Sequence, residues 1–412
     1  MPALEAVSDT FTREDALRHL REHVFRSSPD DRRVGIEAEL IPVWAESGER
    51  VPIVNPDARG MVDLLRAHGR DRDWQDAVSP YGSPRFTVPG GGWISFEPGG
   101  QIEWSSAPLT SVAAVAEQAC RVIPPLVSSV AAAGVRLVGR GIDPFNPLAR
   151  CPLLLTSARY ARMARYLEAW HPHGARMMRQ TAAMHVNLDF GPDPERRFRA
   201  AQALVPLLVA VFANSSRHEG RETGHRSYRA HQWRHFDPAR SGVIAGPDGP
   251  QALLERAEAA PDFLAGEAAP FGDRLRRGGV SADDWEQHLS TFFTEVRPRG
   301  YIEVRSIDAL QPRWYAAPLV FLTGLLYDEA ACEWVLSEAG TATHERLVRA
   351  GRSGVEDPGL HRLAMEAWRQ AMWGAERLGE EYIGPAALGT TKEFLDRFTA
   401  RGRDPGHEPD LS

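Results

Sequence analysis

Four short segments place acidic side chains, a histidine and an arginine at alternating positions. In VGIEAEL, Glu37 and Glu39 alternate with Ile36, Ala38 and Leu40. In GQIEW, Gln101 and Glu103 alternate with Ile102 and Trp104, and in MHVNLDF, His185, Asn187 and Asp189 alternate with Met184, Val186, Leu188 and Phe190. In YIEVRS, Glu303 and Arg305 alternate with Ile302, Val304 and Ser306. Successive strand residues point to opposite faces, so each segment predicts a strand with one apolar face and one chemically loaded face. A solvated sheet face also alternates, but it favours Thr, Ser, Lys and Arg of mixed charge. Carboxylates packed side by side repel, and a hard divalent cation relieves that repulsion. Mg²⁺ takes oxygen ligands, commonly a few carboxylates together with substrate phosphates.

Arginine placement is the second signal. The segment 215–242 carries Arg217, Arg221, Arg226, Arg229, Arg234 and Arg240, and Arg305 shares a strand face with Glu303. Guanidinium forks match phosphate and carboxylate oxygens, so Arg229 and Arg305 are the candidates for holding a phosphoryl group or a substrate carboxylate. Trp233 lies close to Arg229 in the same polar segment. The chain has a single lysine, Lys392, in a context that suits neither a P-loop nor a Schiff base. No GxSxG, HExxH or GxGxxG motif stands in a supporting context. His171 with His173, and His231 with His235, have spacings that suit a metal, but a zinc enzyme leaves the carboxylate strands unexplained. Met177, Met178, Trp93, Trp104 and Trp170 are expected in the core.

These side chains need elements to hold them. The pattern predicts helices over 10–26 (capped at Thr10 or Thr12), 55–70, 110–134 (bent at Pro124–Pro125), 157–170, 194–214, 313–338 and 358–378. Strands are predicted over 34–43, 136–140, 184–190 and 299–308, with hairpins over 78–108. Gly90–Gly92 and Gly99–Gly100 either turn those hairpins or let backbone approach a nucleotide. The stretch 215–250 reads as a long irregular loop, which in a compact protein is usually functional or disordered. Strands and helices mix without strict alternation, which implies an α+β fold with an antiparallel sheet. Residues 1–400 are expected to form one large catalytic domain and 401–412 a flexible tail.

The chain has 412 residues, a formal charge of −7 and an ordinary hydrophobic share of 43%. That balance argues against a nucleic-acid-binding surface. Cys120, Cys151 and Cys332 form no framework or CxxC pair, which fits a reducing cytoplasm. No signal peptide or membrane-length apolar run is read.

The segments GIEAEL, SFEPGGQIEWSSAP, TAAMHVNLDF, GHRSYRAHQWRHFDPARSG and FFTEVRPRGYIEVRSID together resemble the glutamate–cysteine ligase superfamily, related to glutamine synthetase. They resemble most its plant and actinobacterial branch, which includes ligases feeding ergothioneine synthesis. The resemblance implies a funnel-like antiparallel sheet, with ATP and Mg²⁺ at its base, and a monomer or homodimer acting on L-glutamate and L-cysteine. It implies metal ligands at Glu37, Glu39, Glu97, Glu103, His185 and Glu303. It places Asn187 on nucleotide or phosphate, Gln101 in the same cofactor-binding motif, and Arg229 and Arg305 on the phosphoryl group or the glutamate. Plant members carry His where this chain has Ala38 and Gln where it has His185; more distant bacterial ligases have His at the latter point. The alternatives are a ligase for another amine, a non-catalytic nucleotide-binding relative and a zinc hydrolase.

Overall fold

The computed structural model describes residues 11–56, 59–244 and 246–409. Its centre is a nine-stranded sheet. The strands are β1 (Val34–Trp44), β2 (Gln75–Val78), β3 (Pro84–Thr87), β4 (Gly92–Phe96), β5 (Ile102–Ser106), β6 (Val135–Val138), β7 (Ala183–Leu188), β8 (Val296–Pro298) and β9 (Ile302–Asp308). Their order is β8-β9-β7-β1-β5-β4-β3-β2, with β6 on the second half of β1, and neighbouring strands in this sheet run antiparallel. β1 is central because it pairs with three other strands. Residues 34–40 pair with β5 and β7, and the apolar run from Ile41 to Trp44 pairs with β6.

Alternation within these strands separates two faces. Ile36, Ala38, Leu40, Trp104, Met184, Val186, Ile302 and Val304 are buried in the main core. Helices Val112–Ala132, Pro194–Val211 and Ala316–Leu326 cover that face. Every residue of Ala316–Leu326 is buried, as expected of a helix apolar all round. It meets the helix Pro358–Leu378 at a glycine crossing: a Cβ on Gly374 would stand 2.0 Å from the Gly324 carbonyl oxygen. A side chain at either glycine would force the helices apart.

Several expected boundaries move. The helix expected over 10–26 begins at Arg13, capped by Thr12 and Asp15 reciprocally, and passes into a wider turn over Leu20–Val24; Thr10 lies outside the described residues. Val112–Ala132 runs through both Pro124 and Pro125 without a break in the helix. The run expected as one helix over 313–338 divides at Asp328, whose side chain caps a new helix, Glu329–Glu338. The stretch 215–250 is not an irregular loop. It contains a short hairpin (Arg217–His218 with Arg221–Glu222) and a helix, Tyr228–Arg234, capped by Ser227.

The tail expected to fray after Arg401 is packed as far as it is described. Asp404 is fully buried and holds Arg226 through both carboxylate oxygens, at 2.8 and 2.7 Å. Arg140 donates to the carbonyls of Pro405 and Glu408, and Glu408 pairs with Arg313 and Arg397. Charge composition suggested solvent exposure, but these charges meet partners from distant segments.

Candidate active site

Strand register gathers the polar positions. Glu39 faces Glu103 across β1 and β5, Glu37 faces His185 across β1 and β7, and Glu303 faces Asn187 across β9 and β7. The four patterned segments are therefore neighbours in one sheet, with their loaded faces aligned. A cavity of about 270 Å³ opens over them, lined on its floor by Glu37, Glu39, Glu97, Gln101, Glu103, His185 and Arg305.

Hydrogen bonds fix each side chain. Glu37 accepts from His185 Nδ1 at 3.0 Å and from Asn187 Nδ2 at 3.0 Å. Glu39 accepts from the Ala183 amide at 2.8 Å, and Glu103 from the Ser105 and Ser95 hydroxyls at 3.0 and 3.3 Å. With Nδ1 donating to Glu37, neutral His185 keeps a lone pair on Nε2, which lies 4.0 Å from Glu39. Glu97 sits just past β4 in a turn closed by Gly99 and Gly100. A Cβ on Gly99 would lie 2.2 Å from the Arg179 carbonyl oxygen, and Gly100 has φ +85°. These glycines turn the hairpin and seat it against the segment ahead of β7.

The electrostatics are those of crowded buried anions. Burial, then Glu103, pushes Glu39 up to about 8, and burial, then Glu39, pushes Glu97 up to about 8. Glu103 is raised well above the usual range by burial, Glu37 and Glu97. Burial and Glu303 also push Glu37 upward, but the bonds from His185 and Asn187 outweigh them and leave it below its ordinary value. Burial, then Arg305, lowers His185, favouring the neutral imidazole.

Glu303 behaves differently. It is fully buried, and Arg297 grips both its oxygens at 2.6 and 2.8 Å while Arg305 reaches it at 2.5 Å. These arginines overcome the burial penalty and hold its carboxyl well below the usual range. The resemblance implies a metal ligand here; in this structure the carboxylate anchors two guanidiniums, with one oxygen 3.6 Å from His185 Nδ1. Arg305 and Arg229 stand over Trp233 at 5.6 and 4.9 Å. Arg229 is 2% exposed and donates to the Arg305 carbonyl at 2.8 Å. The Nε atoms of both arginines lack a protein partner. Gln101 donates to the Thr181 carbonyl at 2.6 Å and so ties the hairpin to the chain ahead of β7. Asn187 orients Glu37 and is outside the cavity lining.

Residues 33–388 match the family described as Glutamate-cysteine ligase family 2. The chain belongs to that family. It is 33% identical over 420 residues to the glutamate–cysteine ligase EgtA of Mycolicibacterium smegmatis, covering 96% of this chain and 90% of that protein. It is 29% identical over 424 residues to the chloroplastic glutamate–cysteine ligase A of Oryza sativa subsp. japonica, covering 93% and 82%. The fold is also that of the Francisella tularensis glutamate–cysteine ligase solved with AMP. There the TM-score is 0.54 at 13% identity, over 91% of this chain and 83% of the other.

Within this family member, sequence reasoning missed three arginines of the cavity wall. Arg297 comes from β8, Arg299 from the turn between β8 and β9, and Arg159 from the helix Ala158–Leu167. Hairpin symmetry about Gly300 held a usable signal, because Arg297 pairs directly with Glu303. Met177 and Met178, expected only in the core, belong to a small apolar cluster and also line the cavity. Among the other residues expected in the core, Trp104 is buried, Trp170 packs partly buried beside that cluster, and Trp93 is 39% exposed. The segments 160–180 and 215–240 both contribute wall, through Tyr160, Met163, Met177, Met178, Arg229 and Trp233. No helix among the described residues is long and apolar enough to cross a membrane.

Proposed function

We propose that this chain is an ATP-dependent glutamate–cysteine ligase, joining the γ-carboxyl of L-glutamate to the amino group of L-cysteine through γ-glutamyl phosphate. The observation that carries the reading is the polar sheet face. It brings five acidic or imidazole cavity residues (Glu37, Glu39, Glu97, Glu103 and His185) beside two guanidiniums, at the floor of one cavity.

The donor set fits Mg²⁺. Glu37, Glu103 and His185 each offer an atom within 4.8 Å of the others'. Glu39 and Glu97 border the same space and are raised to about 8 by burial and by neighbouring carboxylates, a cost that divalent cations offset. Those five residues are the proposed metal holders, and Glu303 serves through Arg297 and Arg305. When bound, Mg²⁺ supplies charge neutralisation for the nucleotide phosphates. Phosphoryl transfer needs mainly positioning and electrostatic stabilisation.

The protein's own groups supply the rest. Arg305, pinned by Glu303, and Arg229, held against the β9 backbone, present N–H donors to the transferring phosphoryl group or to a substrate carboxylate. Trp233 keeps the two guanidiniums in place. Asn187 holds Glu37 in its ligating orientation. The wall of Met163, Met177, Met178, Trp233 and Phe293 excludes water from the acyl phosphate. It also suits a small acceptor carrying a soft sulfur, since thioethers and aromatic rings both receive sulfur well. That wall favours cysteine over a charged amine. A second cavity of about 660 Å³ shares Tyr81, Arg159, Arg297 and Arg299 with the first, and this cationic rim is a suitable approach for a polyphosphate.

The test is phosphate release by purified protein with ATP, Mg²⁺ and glutamate, comparing cysteine with other amines while mass spectrometry follows the product. Cysteine-dependent turnover with γ-glutamylcysteine formed is the expected result. Preference for another amine removes the named acceptor; nucleotide binding without turnover removes the catalytic reading.

A further inference from the structure

The helix Tyr228–Arg234 has two working faces. One turns Arg229 and Trp233 into the cavity. The other carries His231, with His235 at the C-cap, a spacing of four residues that places both imidazoles on one side. His225 from the preceding segment and His173 from the helix His173–Arg179 converge on the same side. Ring centres lie 4.2 Å apart for His231 and His235, 4.3 Å for His225 and His231, 5.1 Å for His173 and His235, and 5.6 Å for His173 and His231. Two imidazoles on one tetrahedral zinc, at a Zn–N distance of about 2.0 Å, have ring centres about 5 Å apart.

We propose that His173, His225, His231 and His235 form a binding site for a borderline divalent transition-metal ion, with zinc as its type. Three of the four rings already place Nδ1 against an oxygen, as metal-ligating histidines usually do. His235 Nδ1 meets the His231 carbonyl at 2.7 Å, His173 Nδ1 the Gln232 side-chain oxygen at 2.8 Å, and His225 Nδ1 the Thr223 carbonyl at 3.3 Å. Oxygen acceptors of this kind hold the proton on Nδ1 and leave the Nε2 lone pair for a metal, which is the outer-sphere pattern of histidine sites. Three of the rings, His173, His225 and His231, are also biased toward the neutral form. Burial, then His225, His235 and His173, pushes His231 down to about 4, and burial first lowers His173 and His225. Protons therefore compete weakly for the nitrogens of those three rings.

Arg176, bonded to the Tyr228 hydroxyl at 3.1 Å, and Arg352 are the cations facing the group; Glu219, 3.9 Å from Arg176, offsets part of that charge. Among the described residues no three of these ring nitrogens lie within 4.8 Å of one another. Binding therefore draws the rings inward by rotation, exposed His235 most freely. None of the four lines the carboxylate cavity. Hard oxygen donors select Mg²⁺ there, whereas imidazole selects zinc, nickel or copper here.

The test uses untagged, chelator-treated full-length protein titrated calorimetrically with Zn²⁺ in excess Mg²⁺, and with Co²⁺ followed by visible absorption. The proposal expects about one Zn²⁺ per chain and the intense bands of tetrahedral Co²⁺. His231→Ala/His235→Ala is expected to weaken Zn²⁺ binding at least about tenfold, while Glu37→Gln and His171→Ala bind as before. His235→Ala alone alters an exposed side chain, so it keeps the fold and still weakens binding. No saturable Zn²⁺ uptake, or equal affinity in the His231→Ala/His235→Ala variant, overturns the site.

Discussion

Replacing Glu39 with glutamine preserves the shape of the side chain and its acceptor for the Ala183 amide, 2.8 Å away, while deleting a buried negative charge. Glu39 is 9% exposed, and burial together with Glu103 raises its carboxyl from an ordinary 4.5 to about 8. At 1.36 kcal/mol per pH unit, that rise corresponds to about 4–5 kcal/mol. Between pH 4.5 and about 8 the folded protein keeps a proton that the unfolded chain has released, so stability falls as pH rises through this window. At pH 7 the penalty is roughly 3 kcal/mol, and glutamine removes it. Metal-free Glu39→Gln should therefore melt higher than the parent at pH 7, by roughly 3–5 °C for a chain of this size. The difference should close below about pH 4.5, where both carry a neutral side chain. Mg²⁺ should raise the parent's Tm more than the variant's, and turnover should fall by about 100-fold or more. A variant that melts lower at pH 7, or that keeps near-parental turnover, refutes the argument that functional charge is held at the expense of stability.

Glu303→Gln should behave oppositely. It leaves Arg297 and Arg305 buried without their counter-charge, a loss of about 3–5 kcal/mol, readable as a lower denaturant midpoint. Arg305→Ala should leave the far-UV spectrum intact and lower kcat by about 10²–10³; Arg305→Lys should not restore it, because an ammonium cannot reproduce the fork. Met178→Glu places a charge on the acceptor wall and should raise KM for cysteine more than for ATP, measured by varying each in turn. Deleting residues 404–412 removes the buried partner of Arg226, 2.7 Å away. It should cost about 3 kcal/mol or more by the same logic, whereas a truly frayed tail would cost nothing in thermal melting.

Local sequence was enough to single out the polar residues that share one sheet face. Period-two alternation in four segments separated Glu37, Glu39, Glu103, His185, Asn187, Glu303 and Arg305 from their apolar neighbours, because strand geometry allows only two faces. It also fixed the antiparallel α+β class and the covering helices, whose apolar periodicity is strong. What it left open was set by pairing and by charge partners far along the chain. Register alone put Glu39 opposite Glu103 and Arg297 opposite Glu303. That second pairing gave Glu303 its arginine partner. The segment 215–250 read as a loop because its polar residues hide a short helix. Ser227 caps that helix, and contacts to β9 hold it: its Arg229 meets the Arg305 carbonyl and Asp308 accepts from Ser227. The tail read as frayed because the partners of its carboxylates lie outside it; Arg226, Arg313 and Arg397 reach Asp404 and Glu408 only once the chain has folded. Alternation is a local property of the backbone, whereas the partner of a buried charge is decided by long-range packing, and only the tertiary structure supplies it.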